Sequence, residues 1–116
     1  MTELATRTCI PCKGGVAPLT QPRLGELLAQ VPHWQLHDEG RFIERQFKFK
    51  NYYQTMAFVN ALAYISHQQD HHADLEVGYN RCRVHFSTHA IGGLSENDFI
   101  CAARIDALLP TEPDQL

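Results

Sequence analysis

The chain has 116 residues, with 10 Lys and Arg against 13 Asp and Glu, giving a formal charge of −3. That length supports one domain with a core of its own. A 44% hydrophobic fraction argues against disorder. The mild negative charge argues against nucleic acid or an anionic membrane as the main partner. No run approaches the roughly 18 apolar residues of a membrane span, and no secretory leader pattern is present, so a cytoplasmic, reduced protein is expected.

Residues 1–19 read as an irregular arm, broken by Gly14, Gly15 and Pro18. The arm carries a CxxC, Cys9-Ile10-Pro11-Cys12. A zinc ribbon needs a second CxxC or a His pair at set spacing, whereas Cys82 and Cys101 are single and far apart. An uninvolved arm is therefore favoured over metal or redox use. Thr20 offers an N-cap to a first helix over Gln21 to Gln30, with Leu24, Leu27, Leu28 and Val31 on one side. Trp34 and Leu36 suit a short strand. Arg41 to Phe49 reads as a second strand, with Ile43, Phe47 and Phe49 sharing a face that Arg45 interrupts. Asn51 and Gln54 resemble a capping box. They open a long helix from Tyr52 to about Gln68, with Phe58, Leu62 and Ile65 in one apolar stripe and Met56, Val59 and Ala63 in a second. Leu75, Val77 and Tyr79 mark a third strand; Cys82, Val84 and Phe86 mark a fourth. Ser95 to Asp98 forms a second capping box, opening a helix over Glu96 to Leu109 with Cys101, Ile105 and Leu108 on one side. The order αββαββα predicts an α+β single domain over residues 20–110. It has a four-stranded antiparallel sheet with three helices packed on one face, then a loose tail over 111–116.

Seven histidines occur, and five of them (His67, His71, His72, His85, His89) fall within 23 residues. His67 and His71 are four apart at the end of the long helix. His85 and His89 share strand parity opposite to the apolar set, which points His85 to the open face of the sheet. Three readings compete: polar residues at element ends, a His₃ metal site with an open position, and metal-free general acid–base catalysis by two or three imidazoles. Adjacent His71 and His72 rarely converge on one ion, and no HExxH is present. Spacing alone does not separate the second reading from the third.

The stretches Asp70-His71-His72, Tyr79-Asn80, Ser87-Thr88-His89 and Gly93-Leu94-Ser95-Glu96-Asn97-Asp98, with the Trp34 strand and the element order, resemble the pterin-4a-carbinolamine dehydratase family. The resemblance covers about Leu19 to Leu109. Ala73 stands where the family usually has Pro, and the CxxC arm lies outside the match.

The resemblance implies dehydration of 4a-hydroxytetrahydropterin to quinonoid dihydropterin, with no metal and no cofactor. It implies His71, His72 and His89 as the catalytic set, with acid and base unassigned. Asp70, Ser87, Thr88 and Ala90 are implied as pterin contacts. His67 is read as supportive. Asp98 is read first as the third residue of a capped helix, near the site, and Tyr79 as a packed aromatic. The implied partners are a small pterin, a functional link to an aromatic amino acid hydroxylase, and further copies of the chain in a homodimer or homotetramer. Direct contact with nucleic acid or membrane is not implied. Similar animal proteins also act as dimerisation partners of a homeodomain transcription factor, so an interaction module is one alternative. A dehydratase-like protein acting on another pterin, as in molybdopterin metabolism, is a second.

Overall fold

The computed structural model describes residues 3–9, 19–37 and 40–109. Helix α1 spans Gln21–Leu28, strand β1 Gln35–His37 and β2 Phe42–Lys48. Helix α2 spans Tyr52–Gln69, β3 Asp74–Val77, β4 Arg81–Phe86 and α3 Glu96–Asp106. The strands form one antiparallel sheet in the order β1-β2-β4-β3. The expected α+β architecture is present, with element ends shifted by one to three residues.

Alternation along the central strands decides which face is covered. Ile43, Phe47, Cys82, Val84 and Phe86 are buried, and they meet Leu27, Phe58, Leu62, Phe99 and Ile105 of the helices. The opposite face carries Glu44, Gln46, Arg83 and His85 and is mostly polar, with Phe42 stacked on His85. On β3, an edge strand, Leu75 is half-buried and Val77 exposed.

Two caps follow the sequence. Gln54 donates its backbone N–H to Asn51 Oδ1 at 2.9 Å, and Ser95 with Asp98 forms a complete capping box. Thr20 occupies the N-cap of α1 but makes no side-chain cap bond. Ala63 and Leu108, expected against the core, are exposed, because the apolar faces of α2 and α3 are narrower than their stripes suggested. Helix α3 ends three residues before Leu109 in a turn. Tyr79 is also exposed, stacked on Tyr52.

Arg45, on the apolar face of β2, is partly buried and paired. Its guanidinium lies 4.3 Å from the Phe47 ring centroid and donates to Asp106 Oδ1 at 2.7 Å. Trp34 Nε1 donates to the same carboxylate at 2.9 Å. Burial pushes the Asp106 carboxyl up from its ordinary range, against the pull of Trp34 and Arg45.

The arm departs from the irregular segment expected over 1–19. Glu3–Thr6 forms a 3-10 turn, and Leu4 is fully buried in the core. Arg7 pairs with Glu96 at 2.7 Å, and Arg104 Nε donates to the Arg7 carbonyl at 2.9 Å, so the arm is tied to α3. The expected tail over 111–116 and Cys12 lie outside the described residues.

Trp34→Phe keeps an aromatic ring but removes the indole N–H that donates to Asp106 and part of the packed volume. It should lower stability by about 1–3 kcal/mol, the cost of leaving a partly buried acceptor short of one partner. Urea unfolding would measure this, with far-ultraviolet circular dichroism unchanged.

Candidate active site

Four segments converge on one cavity of about 470 Å³. The end of α2 brings Gln68, Gln69, Asp70, His71 and His72. The segment after β4 brings Ser87, Thr88, His89 and Ala90. The arm and α3 bring Thr8, Cys9 and Asn97. Seven residues singled out in the sequence (Asp70, His71, His72, Ser87, Thr88, His89 and Ala90) thus share one lining. His67 is exposed in the last turn of α2, where it suits the negative helix end. His85 lies on the open face, stacked on Phe42 with centroids 4.0 Å apart.

Local backbone geometry places the rings. Asp70 caps α2 in the left-handed region, with φ 52°. Asx residues enter that region more readily than most others. The reversal turns His71 inward, with its N–H bonded to the Ser66 carbonyl at 3.0 Å. The next residue, His72, is exposed. Beyond β4, Thr88 N–H donates to the Gly93 carbonyl at 2.8 Å, and Gly92 closes the turn at φ 68°. His89 opens the 3-10 turn His89–Ile91 held by that bridge and is exposed.

At the floor sits Asp98, which is fully buried. Oδ2 accepts from the Ser95 N–H at 3.0 Å and from Thr88 Oγ1 at 2.7 Å. Thr88 has one hydroxyl proton, so the 2.9 Å contact between its Oγ1 and Ser95 Oγ has Ser95 as donor. Oδ1 accepts from His71 Nε2 at 2.6 Å. Asp98 is therefore both the capping residue expected and the partner of His71.

The His71 ring lies parallel to Phe86, 5.9 Å between centroids. Burial pushes its pKa down. The hydrogen bond and charge of Asp98, with Cys9 and Asp70, outweigh that effect and raise it above the ordinary value. With Nε2–H committed to Asp98, Nδ1 is the nitrogen left to exchange a proton with a ligand.

Sequence reasoning placed Cys9 in an uninvolved arm, yet Cys9 and Thr8 line the cavity. Gln69 fixes that wall, accepting the Cys9 N–H on Oε1 at 2.9 Å. Gln69 and Asn97 are buried polar residues in helices, where no local motif signals their role. The CxxC marked the arm, but nothing in its spacing pointed toward the histidines. Among the described residues, no three His, Cys, Asp or Glu side chains converge as a metal-ligand set. No described helix is long and apolar enough to cross a membrane.

A raised folded pKa means the His71–Asp98 pair contributes fully to stability below about pH 6.5, the unfolded value. The contribution is lost as pH rises through the folded value. An NMR titration of the His71 ring should give a midpoint above about 6.5. Asp98→Asn should bring it down. A wild-type midpoint at or below the ordinary value would contradict the charge pairing.

A family model described as "Pterin 4 alpha carbinolamine dehydratase" matches residues 17–108. A protein of Nitrosomonas eutropha, provisionally named a pterin-4-alpha-carbinolamine dehydratase, is 63% identical over 108 residues. The match covers 92% of this chain and 94% of that relative. Among solved structures, a transcriptional coactivator/pterin dehydratase from Brucella melitensis is similar at TM-score 0.75 and 32% identity. That match covers 78% of this chain and 97% of the other. A pterin dehydratase-like protein identified as a RuBisCO assembly factor in the alpha-carboxysome is similar at TM-score 0.57 and 28% identity, over 65% of this chain and 87% of that one. With its fold, its converging histidines and these matches, the chain belongs to the pterin 4 alpha carbinolamine dehydratase family.

Proposed function

We propose that the protein dehydrates 4a-hydroxytetrahydropterin, using His71, His72 and His89 as its acid–base groups. The observation that carries this reading is the convergence of all three rings on one cavity, with the innermost ring paired to a buried carboxylate. Hydroxide is a poor leaving group, so departure of the C4a hydroxyl needs a proton. His71, held toward its protonated form by Asp98, is the donor in this reading. The N5 proton passes to an exposed ring at the mouth, His72 or His89. Asp70, Ser87, Thr88 and Ala90 would hold the pterin from the two walls that carry these rings. The product is a quinonoid dihydropterin, which links the protein to an aromatic amino acid hydroxylase and a reductase. We place it in the cytoplasm and as a homodimer or homotetramer. The exposed Tyr53 and Tyr64 of α2 supply apolar surface that fits self-association.

In an assay coupled to phenylalanine hydroxylase, the protein should accelerate decay of the carbinolamine absorbance. No acceleration over buffer would favour the interaction-module reading that names of the solved neighbours suggest. Acceleration with another pterin alone would favour a different substrate. His72→Ala and His89→Ala should each lower kcat/KM by about 10²–10⁴-fold, the usual worth of a general acid or base. Their melting temperatures should stay within a few degrees of wild type. A metal-dependent mechanism instead predicts stoichiometric zinc and loss of rate with chelator.

A further inference from the structure

The arm places a second reactive group in the cavity wall, and dehydration has no use for it. Cys9 Sγ lies 3.6 Å from Cys101 Sγ, although 92 positions separate them in the chain. The two thiols differ in surroundings. Cys9 is half-buried and lines the cavity, whereas Cys101 is fully buried in α3. Both are held from several directions. The arm is anchored by the buried Leu4, by Arg7 on Glu96 and by the Cys9 N–H on Gln69, and Cys101 sits in the middle of a packed helix. Two sulfurs in van der Waals contact, with one open to solvent-borne reagents, need only a small approach to bond.

We propose that Cys9 and Cys101 form an oxidation site at which a hydroperoxide converts the two thiols into a reversible disulfide that locks the arm to α3. Cys9 attacks first. Its thiolate sulfur forms a bond to one peroxide oxygen, the O–O bond breaks, and the departing oxygen leaves as water after taking up a proton. This gives a sulfenic acid on Cys9. The Cys101 sulfur then attacks the Cys9 sulfur and loses its proton, and the sulfenic hydroxyl leaves as a second water. Two electrons pass from the thiols to the peroxide, so two thiols and one hydrogen peroxide yield one disulfide and two waters.

The charges around the pair favour this order of events. The hydrogen bond from Cys101 outweighs burial and, with the nearby His71 and Arg104, lowers the Cys9 thiol from its ordinary range. The Cys101 thiol is pushed up by the same hydrogen bond and by burial, so it keeps the proton it donates. A half-exposed thiolate with a protonated thiol beside it is the arrangement of an attacking and a resolving cysteine.

The competing product is a bridge within the CxxC, between Cys9 and Cys12. Trypsin places Cys9 and Cys12 together in the peptide Thr8–Lys13 and Cys101 in Val84–Arg104. The full-length protein would be titrated with hydrogen peroxide, alkylated, digested without reductant and analysed by mass spectrometry. The expected result is a linked Thr8–Lys13/Val84–Arg104 species that disappears after dithiothreitol. It should persist in Cys12→Ser and be absent in Cys9→Ser. The intact oxidised protein should also melt at a higher temperature than the reduced one, because the bridge closes most of the chain into a loop. An internal bridge within Thr8–Lys13 would overturn the proposal. So would a Cys9 that proceeds to sulfinic acid unlinked, or thiols that resist stoichiometric peroxide. The wild-type readout does not depend on folding of any variant, nor on the pterin reading.

Discussion

A carboxylate sealed from water has to be met by donors, because burying a charge without partners costs far more than a small domain can tolerate. Asp98 is fully buried and receives three donors, from Ser95, Thr88 and His71. These belong to three segments: the start of α3, the turn beyond β4 and the end of α2. Each of those segments is irregular, and alone each has several ways to satisfy its backbone. The shared carboxylate selects one arrangement, and that arrangement brings His71 into one cavity with His72 and His89. The geometry of the site is in this sense a by-product of satisfying one buried charge.

Helix α3 is pinned in the same manner at its other end. Asp106 receives Trp34 and Arg45, so the residue that leads into β1, strand β2 and α3 meet at a second partly buried carboxylate. An acid in the last turn of a helix opposes the helix dipole, and burial already raises this one. Arg45 offsets both effects from within the apolar face of β2. Between the two acids, α3 is buried along Phe99 to Ala103 and at Ile105. It serves as the fixed element against which the arm, the sheet and the cavity-lining loops are registered.

Much of this was legible in the sequence because it depends on local rules. Period-two alternation in Cys82, Val84 and Phe86 identified the covered face, and the caps at Asn51 and Ser95 located the starts of α2 and α3. The family resemblance gathered Asp70 to His72 and Ser87 to Ala90, which share one lining. What the sequence hid depends on long-range contact. Nothing near Arg45 indicates that its partner is 61 positions away, and nothing near Cys9 points to Gln69 or Cys101. The capping box explained Asp98 through Ser95 alone, so its second oxygen, the one facing His71, had no signal. The exposure of Ala63 and Leu108 shows the same limit: helical periodicity gives a direction, while the width of the buried face is set by neighbouring elements.

The site sets two opposing influences on one ring. Burial drives His71 toward the neutral form, while Asp98 at 2.6 Å drives it toward the cation. General acid catalysis is best served between those limits. A ring that is too acidic has lost its proton near neutral pH, and one bound too tightly surrenders it slowly. Because Nε2 is committed to the carboxylate, the ring cannot rotate to offer either nitrogen. Phe86 stacked on its face removes a further degree of freedom. Orientation is therefore fixed before a substrate enters, as proton transfer over a hydrogen-bond length requires. The exposed His72 and His89 face no such restraint from Asp98, which suits groups that exchange protons with solvent. An inner, oriented donor and outer, solvent-linked acceptors give the proposed dehydration a direction: the proton lost at N5 returns to water at the mouth, and the departing hydroxyl is protonated at the floor.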